Sequence, residues 1–187
     1  LGDSSCIAYY KMADATDESG SYNGTPSNVN FNVEGKYGLA GEFNGSSSKI
    51  DIASTITGNN SFTVSFWLNP TANNTTPFFM GSNLTGQGFL TFVTGNTLNF
   101  GRGGDSQGST TSNTIPNNTF THIAVSSSAG SVTVYVNGVS NLTFSTTYNI
   151  GSGGTFIGYA GSYGQYFEGK IDQVRIFNKA ISATEVE

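Results

Sequence analysis

Phe62-Thr63-Val64-Ser65-Phe66-Trp67-Leu68 is the stretch whose reading decides the fold. A period of two runs through it, so an extended chain sets Phe62, Val64, Phe66 and Leu68 on one face. Such a row needs a second apolar surface to cover it. Trp67 falls out of phase with the row and faces the outer sheet surface or a crossing loop. Ser131-Val132-Thr133-Val134-Tyr135-Val136 repeats the pattern and ends at Asn137-Gly138, before a second β-prone run from Val139 to Phe144. Asn-Gly between two such runs is a hairpin signal, because both residues tolerate the left-handed backbone of a type I′ turn.

Working outward, further strands are predicted at 7–11, 39–44, 49–53, 78–81, 89–94, 97–101, 121–126, 156–159 and 170–177. Many short strands parted by turns describe an all-β chain of two antiparallel sheets, a β-sandwich or jelly roll. The polar segment 101–118 reads as a long loop. Ser182-Ala183-Thr184-Glu185 has the spacing of a helix capping box and predicts a single turn. No repeat or linker divides the 187 residues, so one domain is expected over 1–187, and a start at Leu1 reads as a piece excised from a larger protein.

Composition narrows the partners. Only 10% of residues are charged, so Ser, Thr, Asn and Gly carry the solubility, with 25 glycines marking frequent reversals. Seven Lys and Arg are scattered against 12 carboxylates, for a net charge of −5, which argues against a nucleic-acid partner. No run approaches the ~20 apolar residues that span a bilayer, so no membrane insertion is expected.

The acidic residues are unevenly placed. Between Asp51 and Glu168 the only carboxylate is Asp105, so the middle strands cannot supply the pair that glycoside hydrolysis needs. A single histidine, His122, and a single cysteine, Cys6, exclude most His-based metal sites and any Cys–His pair. His122 reads as a hydrogen-bonded structural residue, and no enzyme activity is expected. The segment from Asp14 to Gly24 gathers oxygen donors on a loop, which suits Ca²⁺ as well as it suits a solvated acidic turn. In the segment from Gly158 to Phe167, tyrosines alternate with glycines. Tyr163 and Tyr166 offer faces for a sugar ring, or they simply cover a sheet edge. Arg102, Asp105 and Gln107 are polar contacts for a ligand, or the furniture of a solvated loop.

Several motifs together resemble the laminin-G-like jelly-roll family of the concanavalin A-like lectin/glucanase superfamily. They are Tyr9-Tyr10 before Asp17-Glu18-Ser19-Gly20, Gly38-Leu39-Ala40-Gly41-Glu42-Phe43-Asn44-Gly45, the Phe62–Leu68 strand, Val134-Tyr135-Val136-Asn137-Gly138, Ile157-Gly158, and Phe167-Glu168-Gly169-Lys170-Ile171-Asp172 with its continuation to Ser182. They occur in family order, whereas residues 70–118 follow no family motif. The resemblance implies two antiparallel sheets with the N- and C-terminal strands adjacent. It also implies a structural Ca²⁺ framed by Asp17 and Asp172, with Asn23 joining from the loop; Asp14, Glu18 and Glu42 are left open as further ligands.

The expected function is a non-catalytic glycan-binding or adhesion module of a secreted or virion-surface protein. Tyr163, Tyr166 and Trp67 would stack on a polysaccharide or cell-surface glycan, with Arg102, Asp105 and Gln107 as polar contacts. The alternative is a structural or assembly domain of a phage or surface particle that contacts other protein chains. A lyase or hydrolase is the least favoured reading. Extracellular space, cell surface or virion is the expected location.

Overall fold

The computed structural model describes residues 4–56, 61–72, 75–81, 87–102, 105–151 and 153–186. The strands are β1 (Cys6–Tyr10), β2 (Thr25–Ser27), β3 (Asn30–Glu34), β4 (Leu39–Asn44), β5 (Lys49–Ile52), β6 (Phe62–Pro70), β7 (Thr75–Gly81) and β8 (Phe89–Thr94). They continue as β9 (Thr97–Arg102), β10 (Asp105–Ser109), β11 (Thr121–Ser128), β12 (Ser131–Val136), β13 (Val139–Ser145), β14 (Gly154–Ile157) and β15 (Glu168–Phe177). The first sheet runs β13-β12-β11-β6-β15-β4-β3, with β1 paired to β15; the second runs β10-β9-β8-β7-β14-β5-β2. All named pairings are antiparallel, and β1 against β15 makes the first and last strands neighbours, as expected.

The core lies where the two inner faces meet. Phe62, Val64, Phe66 and Leu68 are all at most 1% exposed, so the period-two reading of β6 holds along its length. Opposite them stand Phe78 and Phe89 of the second sheet, with the Phe62 and Phe89 rings edge to face at 5.4 Å. Burying such aromatic side chains contributes roughly 2 kcal/mol or more each, the main favourable term here. The Asn-Gly signal is also borne out: Asn137 at φ 50° and Gly138 at φ 79° form the turn that joins β12 to β13.

Three strands depart from the sequence expectation. Part of the polar segment 101–118 is β10, paired to β9 from Asp105↔Arg102 to Ser109↔Asn99. Its ladder is made by backbone groups, and an edge strand needs no apolar side chains to be held. The short β2 and β3 are likewise edge strands, and Pro26 is tolerated in β2 because β2 pairs only with β5.

The chain end returns over the outer face of the first sheet. Ile181 N–H donates to Thr63 Oγ1 at 3.0 Å, and Ser126 Oγ donates to the Ile181 carbonyl at 2.9 Å. Ile181 and Val186 then pack on Ala124 and Tyr135. The helical turn α1 (Ala183–Val186) follows Ser182, whose N–H is capped by Glu185 Oε2 at 2.7 Å, the half of the capping box that the carboxylate supplies. Among the described residues, no helix is long and apolar enough to cross a membrane.

Candidate functional site

Two surfaces carry chemistry-bearing side chains, one on the outer face of each sheet. On the second sheet, alternation turns Ile50, Ile52 and Ile157 inward, which leaves Lys49, Asp51 and Phe156 outside. Phe156 pairs with Asp51 across the β14–β5 ladder. On β8, Leu90 and Phe92 share this outer face and join Phe156 and Ala160 in one apolar cluster. The chain then turns over this cluster. Gly158, at φ 79°, permits the turn: a Cβ there would lie 2.2 Å from the Phe43 ring. Tyr159 and Tyr166 bridge across a loop whose tip is the short 3₁₀ turn Gly161–Tyr163.

The outcome is a continuous aromatic strip. Tyr159 packs edge-on against Phe156 at 5.6 Å, and the Tyr166 ring lies 4.6 Å from that of Tyr159. Tyr163, at the loop tip, is 37% exposed. Lys49 Nζ stands 5.4 Å from the Tyr159 ring and 3.7 Å from the Asp51 carboxylate. Burial first, then the neighbouring Tyr166 hydroxyl, raises the Tyr159 pKa, so this phenol keeps its proton at neutral pH. Flat apolar faces beside hydroxyl, ammonium and carboxylate groups suit a ligand that is apolar on its faces and polar at its edges.

The remaining expected ligand residues do not join this strip. Arg102 and Gln107 lie on β9 and β10, three and four strands from β14, roughly 14 to 19 Å at ordinary strand spacing. Arg102 Nη1 donates to the Thr147 carbonyl at 2.9 Å, and Gln107 Oε1 accepts from Thr146 Oγ1 at 2.7 Å, so both pin the segment after β13. The Asp105 side chain lies outside the described residues. Trp67 is on the other sheet altogether. Its ring carries Lys36 Nζ 4.6 Å above it, Tyr37 edge-on at 5.8 Å and His122 at 5.1 Å. Period two placed Trp67 on an outer face; which sheet that face belonged to depended on a topology that local sequence does not carry.

The carboxylates expected at a metal centre are bound in another way. Asp17 is 1% exposed, and its oxygens accept from the N–H groups of Tyr9, Ser19, Ser21 and Tyr22 and from the Ser19 hydroxyl. Asn23 Oδ1 accepts the Asp17 N–H at 2.9 Å. Asp172 is fully buried elsewhere, beneath the β3–β4 turn, where Oδ2 accepts the Tyr37 N–H at 2.9 Å. The five donors on Asp17 occupy the lone pairs a cation would need, and Asp172 is bonded beneath a different turn, so Asp17, Asn23 and Asp172 as placed do not form a ready Ca²⁺ site. The other acids are engaged too: Glu18 pairs with Lys11 at 2.8 Å, Asp14 Oδ1 accepts the Thr16 N–H, and Glu42 Oε2 accepts from Asn30 Nδ2 at 3.0 Å. Among the described residues, no group of three His, Cys, Asp or Glu side chains is arranged to hold a metal.

The two buried carboxylates differ in their titration. Burial works to raise the Asp17 pKa, but the bonds from Ser19, Tyr9 and Tyr22 outweigh it and hold the carboxyl below its ordinary value. At Asp172 burial wins over the bonds from Tyr37, Gln173 and Lys36, and the pKa is raised.

A family model of the laminin-G group, described as the concanavalin A-like lectin/glucanases superfamily, matches residues 44–187. The chain belongs to this superfamily. No curated protein matches it. Among solved structures, domain 4 of AbnA, a GH43 extracellular arabinanase from Geobacillus stearothermophilus solved with arabinotriose, superposes with a TM-score of 0.76 at 24% identity, covering 97% of this chain and 96% of that domain. The binding domain of botulinum neurotoxin DC, solved with rat synaptotagmin II, gives 0.71 at 18% identity over 97% of this chain and 50% of that one. The binding domain of Paraclostridial Mosquitocidal Protein 1 gives 0.73 at 19%, over 98% and 51%. This superfamily chain thus spans about half of the toxin binding domains and nearly all of the arabinanase domain, and the likeness is one of fold.

Proposed function

We propose that this superfamily member is a non-catalytic, extracellular glycan-binding module whose binding surface is the aromatic strip on the second sheet. The observation that carries the reading is the run Phe156–Tyr159–Tyr166, three rings in sequential contact on an outer sheet face with Lys49 and Asp51 at its border. Sugar rings stack on such faces while their edge hydroxyls bond to flanking polar groups. The arabinanase domain, of the same fold and solved with an arabinose trimer, supports a neutral polysaccharide as the ligand class. Trp67 and Arg102 play no part in this surface.

On a glycan array, Tyr166→Ala and Tyr159→Ala are each expected to weaken the signal about tenfold or more while melting temperature changes little. Equal signals for the wild type and both variants would remove the strip as the binding surface. The neurotoxin binding domain, solved with a protein receptor, gives the second reading, in which the strip docks on protein. A Tyr166→Ala variant that loses self-association or protein capture, with no glycan bound by either form, would favour it.

We also infer that the loop after β1 is closed by hydrogen bonds alone. Adding a chelator or Ca²⁺ is then expected to leave the melting temperature unchanged. A rise with Ca²⁺ that Asp17→Ala abolishes would restore the metal reading.

A further inference from the structure

On the outer face of the first sheet, a cavity of about 310 Å³ opens between β6, β11, β15 and the returning chain end. Ser65, His122, Arg175 and Phe177 line it on the sheet side, and Ile181, Glu185 and Val186 of the returning chain end close it on the other. Cross-strand register brings the polar trio together: Ser65 pairs with Arg175 on one flank and with Ala124, two residues from His122, on the other. Arg175 is partly buried and has no carboxylate partner among the described residues. Its guanidinium stacks on the Tyr9 ring at 4.4 Å and spends one Nη2 bond on Gln173 Oε1 at 3.2 Å. Tyr9 Oη in turn holds Gln173 Oε1, so the guanidinium is fixed from below. A guanidinium carries five N–H donors in a planar fork, so most remain for a ligand. Beside it, Ser65 Oγ and His122 Nε2 share a 2.8 Å hydrogen bond. The one acid on the wall, Glu185, is drawn away: its carboxylate is 2.8 Å from Lys179 Nζ and caps the Ser182 N–H.

An accessible fork without an anion, a neutral hydroxyl–imidazole pair next to it and an apolar wall have one complement. We propose that this cavity binds a carboxylate, with Arg175 as the fork, Ser65 and His122 as the flanking pair, and Phe177 and Ile181 against the body of the ligand. The volume suits a single small residue, such as a uronic acid or the terminal residue of a peptide. The site is independent of the aromatic strip on the opposite sheet. His122 reports on occupancy, since burial and then the Arg175 charge hold its pKa low, and an anion on Arg175 offsets the second cause. Besides Arg175, the charged groups near the ring are Glu185 across the cavity and Lys36 above Trp67.

The experiment follows the His122 ring by NMR while the intact chain is titrated separately with glucuronate, N-acetylalanine and, as the neutral control, glucose. Either carboxylate is expected to shift the ring signals and to raise the titration midpoint by about one unit, with glucose inert. Glucuronate alone would assign the site to acidic sugars, N-acetylalanine alone to peptide ends. Arg175→Gln is expected to abolish the ligand-dependent shift, and Arg175→Lys to weaken binding about tenfold, since the charge stays but the fork is lost. Glu185→Gln, at an exposed position, is expected to tighten binding severalfold and serves if Arg175 variants fold poorly. No shift with either carboxylate, or an equal shift with glucose, overturns the proposal. Tyr166→Ala is expected to leave these shifts intact even if the strip fails as a glycan surface, so the two readings fall separately.

Discussion

Asp17→Ala is expected to destabilise the fold by about 4 kcal/mol, a loss typical of deleting a buried, fully bonded charge. The carboxylate gathers four backbone N–H groups and one hydroxyl, drawn from β1 and from the loop that follows it. Removing it strands donors that face a closed corner, each costing about 1–3 kcal/mol before any water enters. The same loop is tied by Tyr10 Oη to the Tyr22 carbonyl at 2.6 Å, so it cannot swing out freely to let water replace the lost bonds. Asp17→Asn keeps the volume, but its NH₂ points donors at donors, and about 2 kcal/mol is expected to be lost. Urea melts of the three proteins test this; a loss under about 1 kcal/mol for Ala would show that the corner is held elsewhere. Because the Asp17 pKa is depressed on folding, its contribution is present above the ordinary value of 3.8 and disappears as pH falls through the folded one.

Much of the fold was legible because β-sandwich strands carry their own signature. The alternation in β6 and the Asn137-Gly138 turn are local facts, and each appears in the structure as the residues imply. What stayed hidden was whatever the backbone alone supplies. β10 has the composition of a loop and is a strand only because β9 offers it a ladder. The candidate site was half legible. Tyr159 and Tyr166 meet across a turn that their own glycines build, so tyrosines among glycines marked the segment where these rings come together. Phe156, Leu90 and Phe92 complete the strip from two strands parted by β7, and only strand order reveals that. An acidic loop, likewise, looks the same in sequence whether its carboxylate turns out toward an ion or in toward backbone N–H groups. At Asp17 it turns in.

Acidifying from pH 7 to 4 is expected to cost up to about 3 kcal/mol through His122 alone. The unfolded chain takes up this proton near 6.5, whereas burial and the Arg175 charge hold the folded residue to about 4. Between these values the unfolded state binds one more proton than the folded one, so stability falls as pH falls. The chain has one histidine, so the upper part of this window is clear of other side-chain titrations. Asp172, whose pKa is raised, acts with the opposite sign nearer the carboxylate range. His122→Gln retains a partner for Ser65 Oγ, and its stability is expected to be nearly flat from pH 7 to 5 in urea melts. Parallel curves for wild type and variant would mean that the imidazole protonates freely in the folded state. That result would also reopen the enzymatic reading, because Ser65 and His122 stand 2.8 Å apart, as a nucleophile and its base do. A base is effective when its pKa lies near the working pH. An imidazole held at about 4 beside a guanidinium, with no carboxylate in contact among the described residues, is poorly matched to base catalysis at neutral pH, and Ser65 is expected to serve as a hydrogen-bonding residue.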